Sequence, residues 1–285
     1  MENQTFIGLD TSAILSIFHA MEDHGIDRKM GSLVGMDDSH AFIQRVQSHA
    51  DKGTLIIPSV VWHEYDANRL RMDTEALVGT DKWIDDVKDI LTPPTPKHYR
   101  YNQSWRSRWM MRSAARHLKR VEAYRRSIGR VVSTTVRSLE HPIKEWERIA
   151  IQQPLSSDDE VRELTDEAKH RYENKIPPGY CDTPKGMDAR WPLDLDISLP
   201  YRRVYGDFYI WAELLRTVRL IQPYALTFVT RDTKEDWWEK PEKSSPSTEW
   251  KARKELAVDV QEHCARCRFR LVTPQEFISM DQASS

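Results

Sequence analysis

Cysteine is scarce in this chain, with only Cys181, Cys264 and Cys267 among its 285 residues. An odd and sparse set of cysteines does not build a disulfide framework, so we expect a reducing compartment, the cytoplasm. No apolar run approaches the roughly 20 residues that a membrane-spanning helix needs, so we expect no membrane partner. The first residues lead directly into a predicted strand, without a basic and then an apolar segment, and we expect no signal peptide.

Sequence features of repeat proteins, disordered segments and nucleotide-hydrolysing enzymes are also missing. It has no internal repeat, no low-complexity segment and no Gly-x-x-x-x-Gly-Lys-Ser/Thr loop, so control by nucleotide hydrolysis would have to come from a partner protein. The segment His263-Cys264-x-x-Cys267 supplies zinc-type ligands. Structural zinc takes four ligands, commonly in two spaced pairs, and we therefore interpret these cysteines as small buried residues.

The net charge of −2 conceals an uneven distribution of charge. Residues 97–137 contain 12 basic residues and one acid, whereas residues 138–170 contain nine acids and four bases. Within the basic segment, apolar residues recur every three or four positions, which predicts a long amphipathic helix. We interpret residues 95–175 as a helical insertion in a single domain of residues 1–285, because predicted strands resume after it.

Apolar runs alternate with helical patterns in the rest of the chain. Strands are predicted at residues 5–10, 54–57, 225–230 and 269–272. Helices are predicted at residues 39–50, 158–174, 207–221 and 248–263, with others that begin at Ser59 and Pro274. This alternation is typical of βαβ units, so we predict an α/β fold with a central, parallel, twisted sheet.

Four acidic residues follow or flank the predicted strands: Asp10, Glu64, Asp207 and Asp232. Ligands of open α/β sheets bind outside the carboxyl ends of the strands, so these side chains are expected to meet there. Carboxylates that meet repel one another unless a hard cation neutralises them. The pattern therefore predicts a Mg²⁺ or Mn²⁺ site, whose most common use is the hydrolysis of phosphodiester bonds.

Each of these acids also has a purely structural interpretation. Asp10 can belong to a cap or turn, Glu64 can be a solvent-exposed helix residue, and Asp207 can cap its helix with roughly 1 kcal/mol of stabilisation. Asp232 can begin a turn. The four together, in this order, favour one shared site over four separate structural roles.

The sequence around the four acids resembles the PIN-like domains, a superfamily of metal-dependent nucleases with a three-layer α/β fold. The resemblance lies in Ile7-Gly8-Leu9-Asp10-Thr11-Ser12, Ile57-Pro58-Ser59-Val60-Val61-Trp62-His63-Glu64-Tyr65, Gly206-Asp207-Phe208-Tyr209-Ile210-Trp211 and Phe228-Val229-Thr230-Arg231-Asp232. It extends to a bacterial PIN-like subfamily with a large helical insertion. That subfamily is also similar in its Pro-Gly-x-x-Asp segment, here Pro178-Gly179-Tyr180-Cys181-Asp182, and in an ending like Thr230-Arg231-Asp232-Thr233-Lys234-Glu235-Asp236-Trp237-Trp238.

The resemblance implies roles for the acidic residues. Asp10 would hold or bridge a first metal ion with Asp207 and Asp232 beside it, and Glu64 would bind metal directly or through water. Two ions ~3.5–4 Å apart can activate a water and stabilise the leaving oxygen of an in-line displacement. The secondary candidates for a second ion are Asp182 and Asp236.

Polar and basic residues near the acids are further candidates. Thr11, Ser12 and Thr230 can hydrogen-bond the carboxylates or a phosphate, although cap and strand roles explain them equally well. Lys185, Lys234 and Arg231 can contact the scissile phosphate, or can simply be exposed. On the predicted basic helix, the candidates for sequence-independent contacts to a nucleic-acid backbone are Arg106, Arg112, Arg116, Lys119, Arg120 and Arg126. A solvated helix face, or pairing with the acidic residues 158–167, is the alternative.

The function that the resemblance implies is an endonuclease, with RNA favoured over DNA. Bacterial members of this kind are often toxins or antiphage effectors, which implies a regulatory partner such as an antitoxin or an ATPase. A flap or single-strand DNA nuclease and a catalytically inactive scaffold that binds RNA or a protein are the alternatives. A phosphatase of the haloacid-dehalogenase type needs a second aspartate two residues after the first, where this chain has Ser12.

Overall fold

The structure is a computed structural model that describes residues 4–19, 35–68, 138–185, 202–239 and 250–280. Its strands are β1 (Thr5–Leu9), β2 (Leu55–Ile56), β3 (Ala225–Val229), β4 (Trp238–Glu239), β5 (Lys251–Ala252) and β6 (Arg268–Val272). Its helices are α1 (Thr11–His19), α2 (Gly35–Asp51), α3 (residues 59–68), α4 (residues 138–149), α5 (Asp158–Glu173), α6 (Gly206–Ile221), α7 (Lys254–His263) and α8 (Pro274–Ser279). Two short 3₁₀ helices, Tyr180–Lys185 and Arg203–Tyr205, precede α6.

A parallel sheet of four strands, in the order β2-β1-β3-β6, forms the centre of the fold. In the register of the two inner strands, Gly8 is paired with Phe228, and on the other side of β1 it is paired with Ile56. The sheet and its flanking helices confirm the predicted α/β class. A separate antiparallel pair joins β4 to β5.

Helices cover both faces of this sheet. In the strand order of the sheet, the step from β1 to β2 runs toward one edge and the step from β3 to β6 runs toward the opposite edge. Because crossovers between parallel strands are right-handed, the helices that make these two connections lie on opposite faces of the sheet. The helix contacts agree with this rule, since α2 contacts α1 and α8 whereas α6 contacts α5 and α7. The result is a layer of helices on each side of the sheet.

The glycine in β1 sets how closely α6 approaches the sheet. A Cβ atom at Gly8 would lie 2.9 Å from both Leu214 Cδ1 and Phe228 Cδ2. A side chain at this point would force Leu214 and Phe228 to shift, so glycine permits the close approach of α6 to β3. Close packing of α6 brings its first turn to the edge of the sheet where β1 and β3 end.

Aromatic side chains fix the segment that follows β3. The indole of Trp237 is buried, stacks on Phe228 with ring centroids 5.5 Å apart, and lies 6.0 Å from the ring of Trp211 in α6. Burial of such large rings contributes a substantial share of core stability. Trp238 is also buried, so both indoles anchor this loop.

Two helix boundaries differ from the sequence prediction. The helix predicted at residues 248–263 begins only at Lys254, because Lys251–Ala252 pair with Trp238–Glu239 as a short strand. The helix predicted from residue 39 begins earlier, at Gly35. Local periodicity does not report strand pairing between distant segments, and the six residues before α7 therefore looked helical.

The chain divides into two compact units, Met1–Asn68 with His141–Ser285, and Arg69–Glu140. The second unit lies almost entirely outside the described residues, so an insertion at residues 95–175 remains a prediction. Its last part, residues 141–175, belongs to the first unit. Among the described residues no helix is long and apolar enough to cross a membrane.

Candidate active site

Asp10 lies at the centre of the carboxyl edge of the sheet, directly after β1, and is 5% exposed. Its Oδ1 accepts a hydrogen bond of 2.8 Å from the backbone N–H of Thr11, and its Oδ2 accepts hydrogen bonds from the hydroxyls of Ser12 and Thr230. Burial raises the pKa of Asp10, and the hydroxyl donors oppose this rise. Neutral donors thus hold the carboxylate in one orientation.

Glu64 is tied to the same edge through the residue after Asp10. The hydroxyl of Thr11 donates a hydrogen bond of 2.7 Å to Glu64 Oε2. Glu64 is half-buried in α3 rather than solvent-exposed, so the interpretation as an ordinary surface residue is wrong. The contact joins the helix after β2 to the end of β1.

Asp207 lies in the first turn of α6 without capping it, because the N-cap position belongs to Tyr205 and no side chain caps the helix. The capping interpretation is therefore wrong. Asp207 Oδ2 is buried and has no hydrogen-bond partner in the described part of the chain. Burial raises the pKa of Asp207 well above its ordinary value, and the charges of Asp182, Asp232 and Asp10 add to the rise while Lys234 opposes it.

Asp232 belongs to a tightly bonded loop after β3. Its backbone N–H donates to Thr230 Oγ1 at 3.0 Å, and its Oδ1 accepts from the backbone N–H of Lys234 at 2.9 Å. The indole N–H of Trp238 donates to the backbone carbonyl of Asp232 at 2.6 Å. Asp232 therefore does begin a turn, and the turn aims its Oδ2 at Lys234 Nζ, 2.7 Å away.

Two more carboxylates adjoin this loop. Asp182 is 7% exposed in the 3₁₀ helix Tyr180–Lys185, and one of its oxygens lies 2.7 Å from Lys234 Nζ. Asp236 is fully buried, and its Oδ2 accepts a hydrogen bond of 2.9 Å from the backbone N–H of Cys181. Burial raises the pKa of Asp236, and its Oδ1 has no hydrogen-bond partner in the described segments.

The ammonium group of Lys234 lies among these carboxylates. Lys234 Nζ lies 2.7 Å from Asp182 and from Asp232, and 3.8 Å from Asp207 Oδ2. Burial alone would lower the pKa of Lys234, but the surrounding carboxylates raise it above its ordinary value. Among the described residues no three His, Cys, Asp or Glu side chains are arranged so that they could hold a metal ion.

Gly179, from the Pro-Gly-x-x-Asp segment, packs closely beside Asp207 and Tyr172, and sequence reasoning did not single out Tyr172. Gly179 has φ +90°, and a Cβ there would overlap the Tyr172 hydroxyl and lie 2.9 Å from Asp207 Cβ. The Tyr172 hydroxyl is buried without a hydrogen-bond partner in the described part. Burial, reinforced by Asp207 and Asp182, raises the pKa of Tyr172, which therefore stays protonated.

Glu213 was also missed by sequence reasoning. It is fully buried on α6, and its carboxylate accepts hydrogen bonds from the backbone N–H of Ser59 at 2.5 Å and from the hydroxyl of Ser59 at 2.8 Å. Weaker bonds of 3.4 Å come from the N–H groups of Val60 and Leu155. Glu213 thus satisfies the first N–H groups of the helix that carries Glu64. Its signal in the sequence is an acid on the buried face of α6.

The basic candidates are only partly described. Lys185 ends the short helix that carries Asp182, and the backbone N–H of Arg231 donates to Ser12 Oγ at 2.9 Å. The candidates of the predicted basic helix lie outside the described residues: Arg106, Arg112, Arg116, Lys119, Arg120 and Arg126.

A family model described as a PIN-like domain matches residues 37–256. The match covers well over half of the chain, and the protein belongs to the PIN-like domain family. Members of this family are generally nucleases, which are hydrolases that act on nucleic acids. Neither a curated protein nor a solved structure gives a significant match to this chain.

The matched residues include every acidic candidate except Asp10. Although β1 precedes the match, it is an inner strand of the sheet, bonded to β2 on one side and β3 on the other. The hydrogen bond between Thr230 and Asp10 joins a residue inside the match to one outside it. The structure thus adds Asp10 to the edge where the matched acids lie.

Proposed function

We propose that this protein is an endonuclease that hydrolyses the phosphodiester bonds of RNA with the help of Mg²⁺ or Mn²⁺. The observation that carries the proposal is a single network of contacts at the carboxyl edge of the sheet. It joins Asp10, Glu64, Asp182, Asp207, Asp232 and Asp236. Membership of a family of nucleases supports the same activity.

The chemistry of the donors fits a hard divalent cation, because the cluster offers carboxylate oxygens and neither sulfur nor imidazole. One buried oxygen of Asp207 and one of Asp236 have no hydrogen-bond partner in the described part, as expected of atoms that bind a ligand. No three of the described side chains already stand in the arrangement of a metal site, so binding would draw them together. Asp10, Glu64, Asp207 and Asp232 would then hold the first ion, and Asp182 with Asp236 a second. When bound, such ions lower the pKa of a water molecule and stabilise charge on the leaving oxygen.

The hydroxyl groups at the site act on the carboxylates. Ser12 and Thr230 hold Asp10, and Thr11 holds Glu64, through side-chain hydrogen bonds. Side chains locked in this way keep ligand geometry within the narrow limits that catalysis requires. We assign these hydroxyls a positioning role and assign none of them as a nucleophile.

Substrate binding is proposed for the basic residues of the chain. Six basic residues of positions 97–137 would hold the nucleic-acid backbone through contacts that are independent of sequence: Arg106, Arg112, Arg116, Lys119, Arg120 and Arg126. The resemblance to bacterial toxins and antiphage effectors supports a regulated nuclease, with an antitoxin or an ATPase as partner. Three unpaired cysteines support a cytoplasmic location.

The experiment that tests this proposal is cleavage of labelled single- and double-stranded RNA and DNA with Mg²⁺, Mn²⁺ or EDTA. Asp10→Asn and Asp207→Asn remove one charge each from the cluster, and Asp166→Asn on the exposed side of α5 is the matched control. We expect metal-dependent cleavage of RNA that both site variants lose and the control retains. Cleavage that persists in EDTA would contradict the proposal.

The same experiment separates the alternatives. Preferential cleavage of single-stranded or branched DNA would identify a DNA nuclease. Binding of RNA without cleavage under every metal condition would identify a scaffold. Circular dichroism of each variant shows whether a loss of activity reflects a loss of fold.

A further inference from the structure

The ammonium group of Lys234 occupies the middle of the carboxylate cluster. It lies within hydrogen-bond distance of Asp182 Oδ1 and Asp232 Oδ2, both at 2.7 Å, and 3.8 Å from Asp207 Oδ2. These partners are themselves nearly buried, with side-chain exposures of 9%, 17% and 16%. The three carboxylates are thus gathered around one cationic nitrogen.

The same oxygens are those that a divalent ion would need. A lysine nitrogen is a compact point charge, and it uses its N–H donors where a metal ion would accept lone pairs. Lys234 Nζ lies 2.7 Å from Asp182 Oδ1 and 2.7 Å from Asp232 Oδ2, so these oxygens already have a cationic partner. Lysine and metal are therefore competitors for one position.

The backbone of Lys234 is fixed while its side chain has a way out. The N–H of Lys234 donates to Asp232 Oδ1 at 2.9 Å, and its carbonyl accepts from the N–H groups of Trp237 and Trp238 at 3.2 and 3.1 Å. The side chain is 34% exposed. Four rotatable bonds allow Nζ to swing to solvent without moving the loop that orients Asp232.

The side chain of Asp236 gives independent support for a ligand site at this cluster. This residue is fully buried beside the cluster, yet its Oδ1 has no hydrogen-bond partner in the described part of the chain. One ammonium group leaves at least one carboxylate oxygen unsatisfied, which a buried group rarely tolerates. The lysine neutralises the cluster only in part.

We propose that Lys234 is an internal counter-cation that holds the metal-free site together and is displaced by the divalent ion. The proposal rests on the metal dependence proposed above. Displacement frees the oxygens of Asp182 and Asp232 and leaves the ammonium group beside the site, where it can meet an anionic phosphate. Lys234 is thus a positioning residue whose side chain has two states. Its ammonium group lies among the carboxylates when no metal ion is bound, and lies beside them when a metal ion is bound.

Metal titration by calorimetry tests the competition directly. Lys234→Met removes the competing charge, and Lys169→Met, on the exposed side of α5, makes the same change of net charge elsewhere. We expect Lys234→Met to bind Mn²⁺ roughly tenfold more tightly than the wild type, since an ion pair no longer has to be broken. Lys169→Met should match the wild type.

A second measurement needs no variant, in case Lys234→Met does not fold. Acetylation of lysines by acetic anhydride, mapped by mass spectrometry, reports the exposure of each Nζ, with Lys169 as the internal reference. We expect Mg²⁺ to increase the labelling of Lys234 several-fold relative to Lys169. Labelling that stays constant or falls with Mg²⁺ would overturn the displacement.

The outcomes separate this inference from the proposed function. If the wild type binds Mn²⁺ and Lys234→Met binds it equally or more weakly while folded, the competition is wrong and the metal site stands. If neither the wild type nor the variant binds Mn²⁺, both proposals fail. Binding by the variant alone would overturn the displacement, because Lys234 would then block the site instead of yielding to the ion.

Discussion

The hydroxyl of Thr230 donates a hydrogen bond of 2.8 Å to the carboxylate of Asp10, although 220 residues separate the two along the chain. Asp10 follows β1 and Thr230 follows β3, and these strands are neighbours in the sheet. Parallel pairing brings the ends of both strands to one edge. This single contact shows how the topology assembles a site from distant parts of the sequence.

Thr230→Val should weaken the site, because it removes the donor to Asp10 and leaves nearly the same shape. Thr230 is fully buried, so we expect a loss of about 1–2 kcal/mol in the free energy of unfolding and weaker Mn²⁺ binding. Urea unfolding and calorimetry measure both effects. Thr230→Ser keeps the hydroxyl and should retain Mn²⁺ affinity, and equal affinities in the two variants would contradict the positioning role.

Glu213→Ala should destabilise the fold and misplace Glu64. The change leaves the N–H and hydroxyl of the half-buried Ser59 without their acceptor and removes a buried carboxylate from α6, which we expect to cost about 2–4 kcal/mol in the free energy of unfolding. The exposed Glu163→Ala on α5 serves as the control. A folded Glu213→Ala protein with unchanged stability and unchanged Mn²⁺ affinity would exclude this role for Glu213.

The contribution of Glu213 to stability should depend on pH. Burial raises the pKa of Glu213 above its ordinary value, while the hydrogen bonds from Ser59 oppose the rise. The folded state therefore holds the proton to higher pH than the unfolded state, so stability falls as pH rises from about 4 through the folded pKa. From about pH 4 upward, the unfolding free energy of the wild type should therefore fall relative to that of Glu213→Gln, which has no carboxyl group to titrate. A wild type that gains stability relative to Glu213→Gln with rising pH would contradict the assignment.

Gly179→Ala should be far more damaging than Gly53→Ala. Both residues have positive φ, +90° and +65°, but a Cβ at position 53 would meet nothing within 4 Å, whereas one at 179 would overlap the Tyr172 hydroxyl and crowd Asp207. We expect Gly53→Ala to lower the free energy of unfolding by about 1 kcal/mol through backbone strain. Gly179→Ala should lower it by at least about 2 kcal/mol more through overpacking. Urea unfolding measures both. Similar losses would show that the loop adapts around residue 179.

The fold and the acidic cluster could be predicted because each has a local signal. The apolar run before Asp10 and the run before Thr230 are buried strands in the middle of the sheet, as their composition indicates. Topology alone then brings Asp10, Asp207 and Asp232 to one edge. The short β5 had no comparable signal, and the start of α7 was consequently misplaced.

The roles of Lys234 and Glu213 could not be predicted, since sequence proximity does not give the direction of a side chain. Lys234 follows Asp232 by two residues, which suggested a phosphate contact, yet its ammonium group lies against the carboxylates. Glu213 acts on Ser59, 154 residues away along the chain. The contact of Glu213 with Ser59 depends on tertiary packing of α6 against α3 rather than on any local pattern.

The most direct test of the central claim is calorimetric titration of the wild type, Asp207→Asn and Asp166→Asn with Mn²⁺. The account predicts binding by the wild type and by Asp166→Asn, with at least roughly tenfold weaker binding by Asp207→Asn, which loses a buried ligand. A wild type without affinity for divalent ions, or an Asp207→Asn protein that binds Mn²⁺ as tightly as the wild type, would contradict it.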